Sequence, residues 1–328
     1  MQRFLLNISY IGTNFRGIQK TINRAEEQLV DVKSVQGCID LALNVLRPAN
    51  KVETVLSSRT DKGVHALHST LHVDLQKYGT KTYDPTTITG VLNRTLHKQK
   101  LQIRVIKTER VPDTFHCRYN ALGRTYLYRI AVLRKKSDDS NCIDNRAFEE
   151  FIPIEEIDRC YFIQKYPFDI ERCRSVARMF EGMHDFRTFT STNRDDNPSF
   201  RHPRFTVRRI EKISIKPGKT LAIGVNTALA QDLYDFWDIE IKGKSFLYKQ
   251  VRRIVGALVA IGVGRIDEKS IYEMLTIPSK HSWDSRITLA PAYGLYLSKI
   301  HYNEKDKYIE AQENDKEHEL PSGNTTKT

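Results

Sequence analysis

A chain of 328 residues, 40% of them hydrophobic, can bury a sizeable core and leaves room for two domains, which sets aside a disordered protein. Lysine and arginine total 52 against 40 acids, and the excess sits in the body. Residues 303–328 hold four lysines and seven acids, leaving 48 basic against 33 acidic side chains in residues 1–302. That is the footprint of a phosphate-backbone binder, although basic proteins without nucleic-acid partners are common.

In chain order, Phe4–Tyr10 reads as a strand followed by the turn Gly12-Thr13-Asn14. Ser34 caps a helix whose apolar residues Val35, Cys38, Ile39, Ala42, Val45 and Leu46 recur at helical spacing. Val52–Leu56 is a strand leading into a polar loop, and Leu71, Val73 and Leu75 alternate with His72 and Asp74 in a strand leaving it. Leu101–Val105 continues the alternation. From Phe115 the pattern restarts. Thr125–Val132 is a strand with Tyr126, Tyr128, Ile130 and Val132 on one face. Glu171–Glu181 is a helix stopped by Gly182, and Phe205–Ile215 and Phe236–Ile241 are strands. Phe246–Gly262 is a helix with Leu247, Val251, Ile254, Val255 and Leu258 inward, and Tyr293–Tyr302 is a final strand. Hairpin-like neighbours and the lack of a Gly-rich strand-to-helix turn favour an α+β fold of two antiparallel-sheet halves, joined near Val111-Pro112. Residues 135–169 and 194–203 read as irregular loops, and the tail from Asn303 as disordered.

The five cysteines, Cys38, Cys117, Cys142, Cys160 and Cys173, are scattered and never spaced C-x-x-C. They point to a reducing compartment and away from a disulfide frame or cysteine zinc site. Mitochondrion, cytosol and nucleus all fit. The apolar run Ile254–Gly264 is too short to span a bilayer, and a strand beginning near Arg3 leaves no room for a cleavable leader. The fifteen tyrosines and fourteen phenylalanines can stack on bases or simply fill the core.

"GVGRID" (262–267) follows a helix and lacks a third glycine, so it reads as a helix cap and turn rather than a nucleotide loop. His65, His68 and His72 lie close together but cannot share one face of a strand, which argues against a metal. "SSRTDKG" (57–63) has two readings. Asp-Lys-Gly is ordinary turn chemistry, in which the aspartate bonds its own backbone and the glycine takes positive φ. Alternatively, Asp61 is projected into a cleft as a nucleophile or base, with Arg59 in reach of a phosphate and a cation needed beside the carboxylate. Arg252 in "YKQVRRIVGALVAIG" can supply that cation. Gly256 shares its helical face and would let a neighbouring backbone approach.

These segments resemble the TruA family of tRNA pseudouridine synthases, and within it the animal branch called tRNA pseudouridine synthase-like. "SSRTDKGVHA" is similar to the family's R-T-D signature. "YIGTNFRGIQ" resembles its opening strand and turn, and "SVQGCIDLAL" its first helix. "FHCRYNALGRTYLYRI", "FEGMHDFRTF", "FLYKQVRRIVGALVAIG" and "APAYGLYLSKI" resemble the later blocks in order, so the likeness runs from Phe4 to about Tyr302. It implies two ferredoxin-like (RRM-like) halves joined into a central, mostly antiparallel sheet flanked by helices, with a basic cleft. Residues 1–111 would carry the catalytic loop, 112–302 the second half and 303–328 a polar tail. The implied activity is isomerisation of uridine to pseudouridine in tRNA, with the anticodon stem-loop as the family's usual target. Asp61 takes the catalytic role, Arg59 displaces the target nucleotide, Tyr126 stacks on the uracil and Arg252 pairs with the aspartate. Lys62, Lys249 and Arg253 are the cations expected on the RNA backbone. The reaction needs no redox or nucleotide cofactor and no metal. The expected partner is tRNA, in a possible homodimer and without a membrane. Ser57, Ser58 and Lys62 depart from the family's usual residues, as does Ile18 in Gly17-Ile18-Gln19. A non-catalytic RNA-binding or chaperone protein on the same scaffold is the competing expectation.

Overall fold

The structure, a computed structural model, describes residues 1–21, 31–79, 81–134, 151–164, 167–191 and 205–308. Among them are ten strands in one mixed, mostly antiparallel sheet and six α-helices, an α+β architecture.

The first strand, β1 (Gln2–Tyr10), runs antiparallel to both β3 (His65–Leu75) and β4 (Ile103–Val111). Short β2 (Thr54–Leu56) pairs with β3 and carries the chain into the polar loop. Between β1 and β2 lies α1 (Val35–Asn44), started by the Ser34 side chain, which accepts from the Gly37 amide. It ends earlier than the apolar spacing predicts, and Val45 is exposed because its turn faces solvent. Between β3 and β4 lies α2 (Pro85–Lys98), an element not expected from the sequence. Asp84 caps it through the Thr87 amide at 2.7 Å, Pro85 opens it, and Ile88, Leu92 and Leu96 form a narrow buried stripe.

The second run begins with β5 (Gly123–Leu133) and short β6 (Tyr161–Ile163) parallel to it. Next come α3 (Ile170–Ala177), continued by a 3₁₀ turn to Phe180, and β7 (Gly182–Asp185). Then β8 (Val207–Pro217), α4 (Val225–Leu233) and β9 (Tyr234–Gly243) follow. Helix α5 (Gln250–Gly262) starts four residues later than its apolar pattern predicts. Lys249 adopts φ +59°, which helical residues do not, and the Gln250 side chain accepts from Leu247 N instead. Gly264 turns the chain at φ +70° and Asp267 caps α6 (Glu268–Thr276), so "GVGRID" joins two helices. The last strand is β10 (Leu295–His301).

The strand order is β4-β1-β3-β10-β5-β9-β8-β7, so β10 enters the middle of the sheet. It runs parallel to β3 and antiparallel to β5, with Leu297 facing Ala66 on one side and Tyr126 on the other. Tyr126 therefore lies two strands, roughly 10 Å, from the point where the polar loop enters β3. One core fills the helix-covered face, from Phe4, Leu6 and Ile8 of β1 to Ile254, Leu258 and Ile261 of α5. The first residues of the expected tail are structured, with a 3₁₀ turn at Glu304–Lys307. Residues 309–328 lie outside the described residues, as do Cys142, 135–150 and 165–166 of the first irregular loop and 192–204 with the second. No helix among the described residues is long and apolar enough to cross a membrane.

Candidate active site

The loop between β2 and β3 is fastened on every side. At its root, Ser57 donates through both its amide and its hydroxyl to Thr70 O. Thr60 shares a 2.7 Å hydrogen bond with the buried Tyr10 hydroxyl, and its carbonyl accepts from Ile18 N. Gly12 abuts the loop's far end so closely that a Cβ there would stand 1.9 Å from Val64 O, and only glycine fits. Val64 N donates to Asp61 O, and Gly63 closes the turn at φ +77°.

Ordinary turn chemistry stops there. Among the described residues no hydrogen bond claims the Asp61 carboxylate, so the side chain does not serve its own turn. It is 28% exposed and faces Arg252 Nη1 at 3.9 Å, close enough for ion-pair attraction but beyond hydrogen-bond reach. Burial pushes the carboxyl above its ordinary pKa, and the Arg252 and Lys249 charges pull the other way. The result is a partly buried carboxylate, held near two cations, whose lone pairs remain open.

Arg252 is itself fixed. Its Nε donates to Ala290 O at 2.8 Å and its carbonyl accepts from Ala290 N. Gly256, one helical turn on, allows this contact, since a Cβ would stand 2.3 Å from Thr288 O. The close backbone approach expected from the sequence is present. Tyr126 is buried edge-on against Phe246, with ring centroids 5.1 Å apart, and its hydroxyl lies 3.5 Å from Ser58 Oγ. Burial raises its pKa.

Asp61, Arg252, Lys249 and Tyr126 thus come together. Arg59 and Lys62 are exposed on the same loop, and Arg59 makes no hydrogen bond or ion pair among the described residues. Arg253 points elsewhere. Its guanidinium lies 4.4 Å from the Trp283 ring centroid and donates to Thr188 O. The loop's anchors Tyr10 and Thr60 were not among the residues expected at the site, and neither was Arg124, which shares the face of Tyr126 two residues away.

The histidines divide as strand parity requires. His65 accepts from Gly12 N at Nδ1 and places Nε2 against Asp158 O and Tyr293 O, while His72 accepts from Cys117 N. Among the described residues no group of His, Cys, Asp and Glu could hold a metal. Burial lowers the pKa of both His65 and His72 to about 4. Below pH 6.5 the unfolded chain binds protons that these folded rings refuse, so stability is full above 6.5 and falls as pH drops towards 4. The melting temperature is expected to decline already between pH 6.5 and about 5, above the main carboxylate range, and less steeply in His72→Gln.

The chain matches the family described as tRNA pseudouridine synthase over residues 7–120 and 176–303. The chain belongs to the tRNA pseudouridine synthase family. Of this family's curated members, tRNA pseudouridine synthase-like 1 of Xenopus laevis is 32% identical over 304 residues, covering 92% of this chain and 91% of that protein. Its Homo sapiens counterpart is 32% identical over 304 residues, covering 92% and 90%. A bacterial tRNA pseudouridine synthase A, from Ligilactobacillus salivarius, is 29% identical over 310 residues, covering 94% and 99%. The family match contains the Asp61 loop and α5 but leaves out residues 121–175, where Tyr126 lies.

Proposed function

We propose that this protein isomerises uridine to pseudouridine in tRNA, with Asp61 as the catalytic group. The observation that carries the proposal is an Asp61 carboxylate facing Arg252 at 3.9 Å with no hydrogen bond from any of the described residues on its oxygens. In the reaction the N1–C1′ bond breaks, the freed uracil turns, and C5 bonds to C1′. The C5 proton leaves and N1 regains one, so no redox partner is required. Asp61 begins this either by attacking C1′ or by removing the 2′ proton, and both routes need an ionised, unclaimed carboxylate. Arg252 and Lys249 favour that charge.

The target base must first leave its stack, at a cost of a few kcal/mol. Arg59, exposed at the loop's edge, takes the vacated space or the adjoining phosphate. Tyr126 offers the uracil a ring, worth about 1–3 kcal/mol in stacking. Lys62 and Lys249 face the backbone phosphates across a basic cleft, giving affinity that falls with salt.

The strand order supports a division at about residue 111 into two ferredoxin-like halves. Strands β4-β1-β3-β2 arrange a βαββαβ sequence, and strands β10-β5-β9-β8 repeat its order once the short β6 and β7 and helices α4 and α6 are set aside as additions; β3 and β10 join the two. A homodimer acting on the anticodon stem-loop completes the proposal. Tritium release from tRNA carrying C5-labelled uridine tests it. The wild-type protein should release label and form pseudouridine, whereas tRNA retention without release would identify a binding protein instead.

A further inference from the structure

We infer that Arg124 is a positioning residue for this reaction, a clasp that sets the spacing between the Asp61 loop and the entry to α5. The inference rests on the function proposed above. Arg124 Nη1 donates to Lys244 O at 2.7 Å, and Nη2 donates to Ser57 O at 2.9 Å and, more weakly, to Arg118 O at 3.5 Å. One guanidinium thus ties together three segments that are far apart in sequence. Ser57 is the root of the loop that carries Asp61. Lys244 opens the turn that carries Phe246, the ring packed on Tyr126, and then Lys249.

No carboxylate pairs with Arg124 among the described residues, and desolvation pulls its pKa below the ordinary arginine value. A cation kept there without a counter-charge is explained by its geometry. A planar fork with fixed donors can bridge carbonyls on two walls at set distances, which a flexible ammonium cannot do. The position of Asp61 makes that spacing matter. Because no hydrogen bond from the described residues holds its carboxylate, its aim depends on the loop backbone, and a displacement of about 1 Å at a reacting group can cost roughly 10²-fold in rate.

Arg124→Lys keeps the charge and removes the fork. We expect its kcat to fall roughly 10²-fold while KM for tRNA stays near the wild-type value. In Arg124→Ala, added guanidinium ion should restore part of the lost rate. Backbone amides in residues 56–64 and 244–250 should exchange hydrogen faster in both variants than in the wild type. If Arg124→Ala does not fold, Arg124→Lys alone decides. Near-normal kcat in Arg124→Lys would show that charge rather than geometry is what matters. A loss confined to KM would make Arg124 an RNA contact. Either result overturns the clasp, as does unchanged exchange in both segments. A wild-type protein that releases no tritium sinks the proposed reaction instead, and the exchange measurement then decides the clasp on its own.

Discussion

Asp61→Asn is expected to reduce tritium release by on the order of 10⁴-fold or more while leaving tRNA affinity nearly unchanged. Asparagine has the shape of aspartate but neither attacks C1′ nor accepts the 2′ proton. Affinity is expected to come from the cations Arg59, Lys62 and Lys249 instead, and should be compared at one fixed salt concentration. The same variant has a stability signature of opposite sign. Burial raises the Asp61 pKa in the folded protein, so the folded state holds that proton more tightly than the unfolded chain does. Ionising the group as pH rises through that range therefore subtracts stability, despite Arg252 and Lys249. At neutral pH the asparagine variant should melt at or slightly above the wild-type temperature. Activity lost together with a fall in melting temperature would point to a structural role for Asp61, and retained turnover would remove it from the chemistry.

The largest effect on stability is expected at Glu156. Its side chain is fully buried and accepts from both terminal nitrogens of Arg129, at 2.7 and 3.0 Å. It also accepts from the Thr220 hydroxyl at 3.1 Å and from the Leu221 amide. Arg129 uses its remaining capacity on the carbonyls of Lys219 and Arg159. The cluster fastens residues 154–160 and 219–222 to β5, the strand that carries Tyr126. Glu156→Ala leaves a buried guanidinium without its counter-charge and should cost about 3–5 kcal/mol. For a chain of this size that lowers the melting temperature by on the order of 10 °C, readable by circular dichroism. Replacing both partners, as Arg129→Met with Glu156→Leu, should cost less than either single change, because no charge is then stranded. A single variant melting with the wild type would show that water reaches the site and screens the pair.

The two cases differ in how much the sequence disclosed. Asp61 stood out because Arg59, Lys62 and Gly63 crowd around it, yet turn chemistry explained the same letters equally well. The structure separates the two readings through an absence of bonds: the carboxylate is not used by its own turn. Glu156 gave no signal, since Ile-Glu-Glu-Ile resembles a solvated turn and its burial depends on Arg129, 27 residues earlier. Helix α1 and strand β5 were legible from dense apolar periodicity. Helix α2 was not, because its threonines dilute the stripe to one buried residue per turn, although Asp84-Pro85 was a start signal that could have been used. Helices α4 and α6 were missed for similar reasons of length and mixed composition. The clasp at Arg124 shows only when Ser57 and Lys244 are brought to either side of it, which no local pattern encodes.

The placement of β10 has a consequence for synthesis. During translation, β3, ending at Leu75, and β5, ending at Leu133, are made 220 and 162 residues before Leu295, where the strand that lies between them begins. Until that strand arrives, two hydrogen-bonding edges face outward, a state open to mispairing with other chains. The Asp61 loop and Tyr126 also have no fixed separation in the meantime. The continuous sheet therefore closes only once residues 295–301 have been made, after both of the strands that flank them.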